Sequence, residues 1–235
     1  GAAASPGMGA NTNSIMAFWM TMLNVRLNLW VLNPNLQQKP KLTIWPFYLA
    51  KEFFRQGTTD DTLLNLSDGG HHENLGIYPL LKRRCKVIIA SDAGADPNFE
   101  MEDLANLQRK ARIDLGINIE FNLSDLRPNL ENKGYTNTYF VQGTIIYPKD
   151  KNGNDQTGTL FYIKTTMVGD EPEELLAYRR THPTFPDETT ADQFFDEDQF
   201  ESYRKLGELA GHSLEKRTSL AEYIETTCFC HKTND

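Results

Sequence analysis

Apolar residues recur along this chain in short bursts, and their spacing separates strands from helices. Leu63, Leu64 and Leu66 form a brief run that ends at Ser67-Asp68-Gly69-Gly70, which predicts a β-strand running into a tight loop. Leu75 to Arg84 predicts a helix, and Pro79, lacking an N–H, requires that it start late or bend. Val87-Ile88-Ile89-Ala90 is a compact β-rich run of the kind buried on both faces of a parallel sheet. Strand, helix and strand within this length predict a βαβ unit.

Beyond Asp96-Pro97, the residues Met101, Leu104, Leu107, Ala111 and Leu115 follow at helical spacing, and Gly116 is placed to end that helix. Ile117, Ile119 and Phe121 then alternate with polar residues, the pattern of a half-buried strand. Tyr139–Tyr147 and Thr159–Met167 predict two strands joined by the turn-rich Lys151-Asn152-Gly153-Asn154-Asp155, hence a hairpin. Glu171-Pro172-Glu173-Glu174 reads as a helix start. Phe200, Tyr203, Leu206 and Leu209 are expected on one face of a later helix. Together these predict an α/β fold, a mainly parallel sheet flanked by helices and carrying an antiparallel hairpin.

Composition narrows the classes. At 235 residues the chain can bury one substantial core, and 39% hydrophobic with 24% charged residues fits a globular protein. A net charge of -8 argues against a nucleic-acid-binding face, which needs clustered Lys and Arg. The one basic cluster, Lys82-Arg83-Arg84 with Lys86, reads better as a helix end. Cys85, Cys228 and Cys230 make neither a disulfide framework nor a Cys-x-x-Cys metal site. No uninterrupted stretch of about 20 apolar residues occurs. The nearest approach, Ile15–Leu32, is interrupted by Asn24, Arg26 and Asn28 and reads as a helix against the core, or else as an interfacial helix or groove wall. The opening Gly1-Ala2-Ala3-Ala4-Ser5-Pro6 resembles the interior of a domain, so a fragment of a longer protein is expected.

Two aspartates fall at predicted strand ends, where sites form in open α/β sheets: Asp68, and Asp92 within Ser91-Asp92-Ala93-Gly94. Gly69 and Gly70 let a ligand approach the backbone closely. The competing reading for each aspartate is a turn residue capping the next helix. His71-His72-Glu73 is the only histidine cluster, and adjacent side chains diverge in both helix and strand, so metal binding is not expected. No Gly-x-Ser-x-Gly elbow is present. Gly211-His212-Ser213 sits inside a helical pattern, and Pro6 after Ser5 has no N–H to offer an oxyanion.

The block Ser67-Asp68-Gly69-Gly70-His71-His72-Glu73-Asn74-Leu75-Gly76-Ile77-Tyr78-Pro79-Leu80-Leu81 resembles the aspartate motif of patatin-like phospholipases. It is most similar to the branch shared with fungal lysophospholipases and cytosolic phospholipases. There Asp-Gly-Gly is followed by Asn-x-x-x-x-Pro-Leu, a basic stretch and a strand of the form Val-Ile-Ile-Ala-x-Asp, which Lys82 to Asp92 matches. The opening nine residues, Asn24-Val25-Arg26-Leu27 and the stretch from Phe185-Pro186 to Tyr203-Arg204 look like larger bacterial members.

The resemblance implies a Ser–Asp dyad in which Asp68 is the base for a serine nucleophile attacking a lipid or phospholipid ester. Glycine-loop N–H groups would stabilise the oxyanion, with no cofactor and no metal. Only the aspartate carries over, so residues 1–235 would be the C-terminal part of the catalytic domain and inactive alone. Gly69, Gly70 and Asp92 are then expected to support the site. Localisation would be cytoplasmic, or at a membrane through regions outside this chain. The rivals are a non-catalytic lipid-binding or scaffold domain of the same fold, and a metal-dependent hydrolase using Asp68, His71 or His72, and Asp92.

Overall fold

The computed structural model describes residues 29–35, 60–66, 72–128, 134–189 and 194–229. The chain divides into two compact units, Gly1–Asn74 and Leu75–Asp235. The fold is mixed α/β: among the described residues there are a two-strand antiparallel sheet, a four-strand mixed sheet and five α-helices.

In the first unit, β1 (Leu29–Leu32) and β2 (Leu63–Leu66) pair antiparallel, Leu29 opposite Leu66 and Leu32 opposite Leu63. The buried Asn33 closes the pair. Its backbone N–H donates to the Thr62 carbonyl and its side-chain amide to the Asp61 carbonyl, each at 3.0 Å. Two expectations change here. The end of the Ile15–Leu32 run is a strand rather than a helix, and the residues before it lie outside those described. The described partner of β2 is β1, not the strand that follows in sequence, so the βαβ pairing is not seen. Four-residue apolar runs such as Leu-Trp-Val-Leu fit several pairings equally well, and nothing local chooses among them.

The second unit opens with α1 (Tyr78–Lys82), which begins late with Pro79 in its first turn, where the missing N–H costs nothing. Next come β3 (Val87–Asp92), α2 (Glu102–Leu115) and β4 (Asn118–Glu120). A 3-10 turn at Ser124–Leu126 leads to β5 (Phe140–Tyr147) and β6 (Gln156–Lys164). The chain then forms α3 (Glu173–Thr181), α4 (Glu197–Thr218) and α5 (Leu220–Phe229).

The sheet order is β3-β6-β5-β4, in which only β3 and β6 are parallel. The expected hairpin is present as β5–β6, but the sheet is mixed rather than mainly parallel. After α2 the chain returns as a β4-β5-β6 meander, because Lys151–Asp155 is a connection short enough only for antiparallel neighbours. Gly116, with φ of 64°, ends α2 and lets Ile117 N–H reach back to the Ala111 carbonyl at 3.1 Å.

Strand alternation gives the sheet two apolar faces. Ile88, Ala90, Leu160, Tyr162, Val141 and Ile145 pack with Leu81 of α1 and Leu104, Leu107 and Ala111 of α2. Phe140 and Phe161 pack on the other face with Leu214 of α4, and Leu220 and Tyr223 of α5 join them. Each fully buried Leu or Phe stabilises this three-layer arrangement by about 1.5–3 kcal/mol. Gly143 is required by one close approach: a Cβ there would lie 2.3 Å from the Phe121 ring.

A third cluster joins α3 and α4 through Tyr139, Met167, Leu175, Phe185 and Leu206. The inward stripe of α4 is Gln199, Ser202, Leu206, Ala210 and Leu214, whereas Phe200 is exposed. Of the expected Phe200–Leu209 face, Tyr203, Leu206 and Leu209 do pack in this cluster and Phe200 falls off it, because a three-residue spacing drifts about 60° around a helix at every step.

Candidate functional site

Asp68, Gly69 and Gly70 lie outside the described residues, as do His71 and Ser5. His72 is half-buried and Glu73 buried in the first unit. No group of three potential metal ligands occurs among the described residues. Gly211, His212 and Ser213 lie within α4, so that serine sits on a helix face and not on a strand-to-helix turn.

Asp92 is the strand-end aspartate whose surroundings are described. It ends β3 in register with Lys164, the last residue of β6, and both side chains are buried. Alternation places Lys164 on the same sheet face as Leu160 and Tyr162, so its ammonium is carried into the interior beside the carboxylate. Lys164 Nζ stands 3.3 Å from Asp92 Oδ2 and donates to the Gly94 carbonyl at 2.8 Å. The Tyr162 hydroxyl donates to the same Oδ2, and Gly94 N–H donates to Oδ1 at 2.9 Å. The Asp92 main-chain carbonyl accepts both the N–H and the hydroxyl of Thr165, at 2.9 and 2.8 Å.

Burial, then the adjoining Asp92 carboxylate, pushes the Tyr162 phenol far above its ordinary range, so it stays protonated and donating. Three donors on its two oxygens hold the Asp92 side chain in one position. Lys164 and Tyr162 were not singled out from sequence. The signal for Lys164 was a cation in the inward register of an alternating strand, which demands a buried carboxylate partner.

The loop after Asp92 continues this polar arrangement. Asp96 Oδ1 and Oδ2 accept Glu100 N–H and Met101 N–H, both at 2.9 Å, which fixes the entry to α2. Asp96 N–H in turn donates to Asp187 Oδ1 at 2.9 Å, tying this loop to the segment after α3. Burial raises the Asp187 carboxyl above its ordinary value, partly offset by that N–H and by Lys164. A cavity of about 220 Å³ lies here, with Asp92, Asp96, Asp103 and Lys164 on its walls. Its chemistry is that of an anchored charge network holding a loop to the end of a parallel strand pair.

Comparison with known proteins adds no relative: no family model, no curated protein and no solved structure matches the chain.

Proposed function

We propose that this chain supplies the aspartate half of a Ser–Asp dyad in a patatin-like lipid ester hydrolase, with Asp68 as the general base. The observation that carries the reading is the extended block from Ser67 to Asp92, in which Asp-Gly-Gly is followed at family spacing by Asn74, Pro79-Leu80, a basic stretch and Val87–Asp92. The helix at Tyr78–Lys82 and the strand at Val87–Asp92 are compatible with that continuation.

In this mechanism a serine Oγ attacks the ester carbonyl while Asp68 accepts its proton. The tetrahedral oxyanion takes hydrogen bonds from glycine-loop N–H groups, and its collapse passes the proton to the departing alcohol. Water then cleaves the acyl-serine, with Asp68 again as base. The serine is assigned to an elbow outside these 235 residues, since none of the Gly-x-Ser-x-Gly form occurs within them.

The test is Asp68→Asn in a protein that carries this chain together with such an elbow, assayed on a phospholipid and on a soluble ester. Loss of a general base lowers turnover by about 10²–10⁴-fold. Turnover undiminished in the folded variant overturns the assignment.

A further inference from the structure

A second concavity, of about 880 Å³, lies between the loops flanking β5 and β6 and the C-terminal half of α4. That volume falls within the range of small-ligand sites, about 300–1,000 Å³. His212, Ser213, Lys216 and Arg217 line it from successive turns of α4, and all four can donate hydrogen bonds.

Among the described residues, no carboxylate lies within ion-pair distance of Lys216 or Arg217. Two cations in a last turn complement the helix dipole, but that alone does not fix where the guanidinium goes. Arg217 Nη1 donates to Thr138 Oγ1 at 3.1 Å on the opposite side, which holds the guanidinium at the cleft with further N–H groups to offer. Asp170 lines the same cleft, exposed, and accepts no hydrogen bond among the described residues. Its neighbour Glu171 also lines the cleft, but its oxygens are already occupied by Val168 N–H, Gly169 N–H and the Tyr139 hydroxyl.

Among the described residues the cleft therefore carries two cations without a carboxylate partner and two carboxylates without a cation, of which only Asp170 has its oxygens unoccupied. We propose that it binds an aminoalkyl phosphate group, with the phosphate on Lys216, Arg217 and the Ser213 hydroxyl and the ammonium on Asp170. With Glu171 counted, the two cations and two carboxylates of the cleft sum to no net charge, so a ligand that itself carries both signs suits it, its phosphate on the cations and its ammonium on the unoccupied Asp170. Arginine and several convergent donors suit a phosphate's oxygens better than a carboxylate's two. The site owes nothing to Asp68 and stands or falls independently of the hydrolase reading.

The experiment titrates the 235-residue chain by calorimetry with phosphoethanolamine, with inorganic phosphate, and with vesicles of phosphatidylethanolamine in phosphatidylcholine. Saturable binding of phosphoethanolamine identifies a soluble ligand, and binding of the vesicles alone identifies a lipid headgroup. Either result supports the site when the K216A/R217A double variant weakens it by about tenfold or more. D170N should weaken phosphoethanolamine while leaving inorganic phosphate unchanged or stronger. All three positions are exposed, so the variants keep the fold, which circular dichroism checks. No saturable binding of any probe in the millimolar range, or wild-type binding by K216A/R217A, overturns the proposal.

Discussion

Asp92 and Glu171 are buried to the same degree, 5% exposed each, yet the fold keeps their charges in opposite ways. Asp92 is held by a cation from a distant strand, Lys164, together with Tyr162 and one backbone N–H. Glu171 has only neutral donors: Val168 N–H at 2.7 Å, Gly169 N–H at 2.9 Å and the Tyr139 hydroxyl at 2.9 Å. The first arrangement ties two parallel strands and a loop together across 72 positions of sequence. The second folds a short loop back onto the carboxylate that follows it. A local loop can aim several N–H dipoles at one carboxylate, whereas a strand end exposes few donors and needs an opposite charge.

The sharpest way to break the comparison is Lys164→Met. It preserves much of the side chain's bulk but leaves Asp92 buried without its cation, which costs about 3–5 kcal/mol. Denaturant unfolding at neutral pH measures this. Adding Asp92→Asn should recover much of the loss at neutral pH. A loss below about 1 kcal/mol would mean the ammonium contributes no more than an exposed ion pair.

The two carboxylates also differ in how well sequence announced them. Asp92 was legible because Val87–Ala90 is an unmistakable strand and an acid just beyond a strand end stands out. Lys164 was visible as a residue of β6 but not as the partner of Asp92. Its pairing depends on β3 and β6 being adjacent, and four elements intervene in sequence. Helix α2 and the β5–β6 hairpin were legible because each is set by local periodicity and a nearby turn. The β1–β2 pairing was not, since two four-residue runs more than 30 positions apart carry no register information. Asp68 is legible only as a motif, its surroundings lying outside the described residues.

Glu171→Gln tests the neutral-donor arrangement. The Gln carbonyl can still accept from Val168 N–H and Tyr139, but its amide then faces Gly169 N–H, donor against donor. The expected cost is about 1–3 kcal/mol, smaller than for Lys164→Met. Gly169, with φ of 93°, holds the loop in a conformation that other residues rarely adopt, so it cannot readily turn its N–H away. An unchanged unfolding midpoint would show that the loop does not depend on the carboxylate.

Asp187 supplies the smallest effect and the finest test, because it has neither solution in full. Asp96 N–H donates to it at 2.9 Å, and burial dominates, raising its carboxyl above the ordinary value of 3.8. A carboxyl raised on folding binds its proton more tightly in the native state. The resulting stability is present below the unfolded value and is lost as pH rises through the folded one. At neutral pH the ionised Asp187 is therefore a cost that Asp187→Asn removes, while its amide oxygen still accepts from Asp96. The variant should equal or exceed the wild type by up to about 1 kcal/mol at neutral pH. The advantage should shrink in acid, as the wild-type carboxyl takes up its proton. A variant clearly less stable at neutral pH would reverse the ranking. It would mean that the attraction of Lys164 and Arg179 for this carboxylate outweighs its burial, and that one lysine serves two acids at the end of the parallel pair.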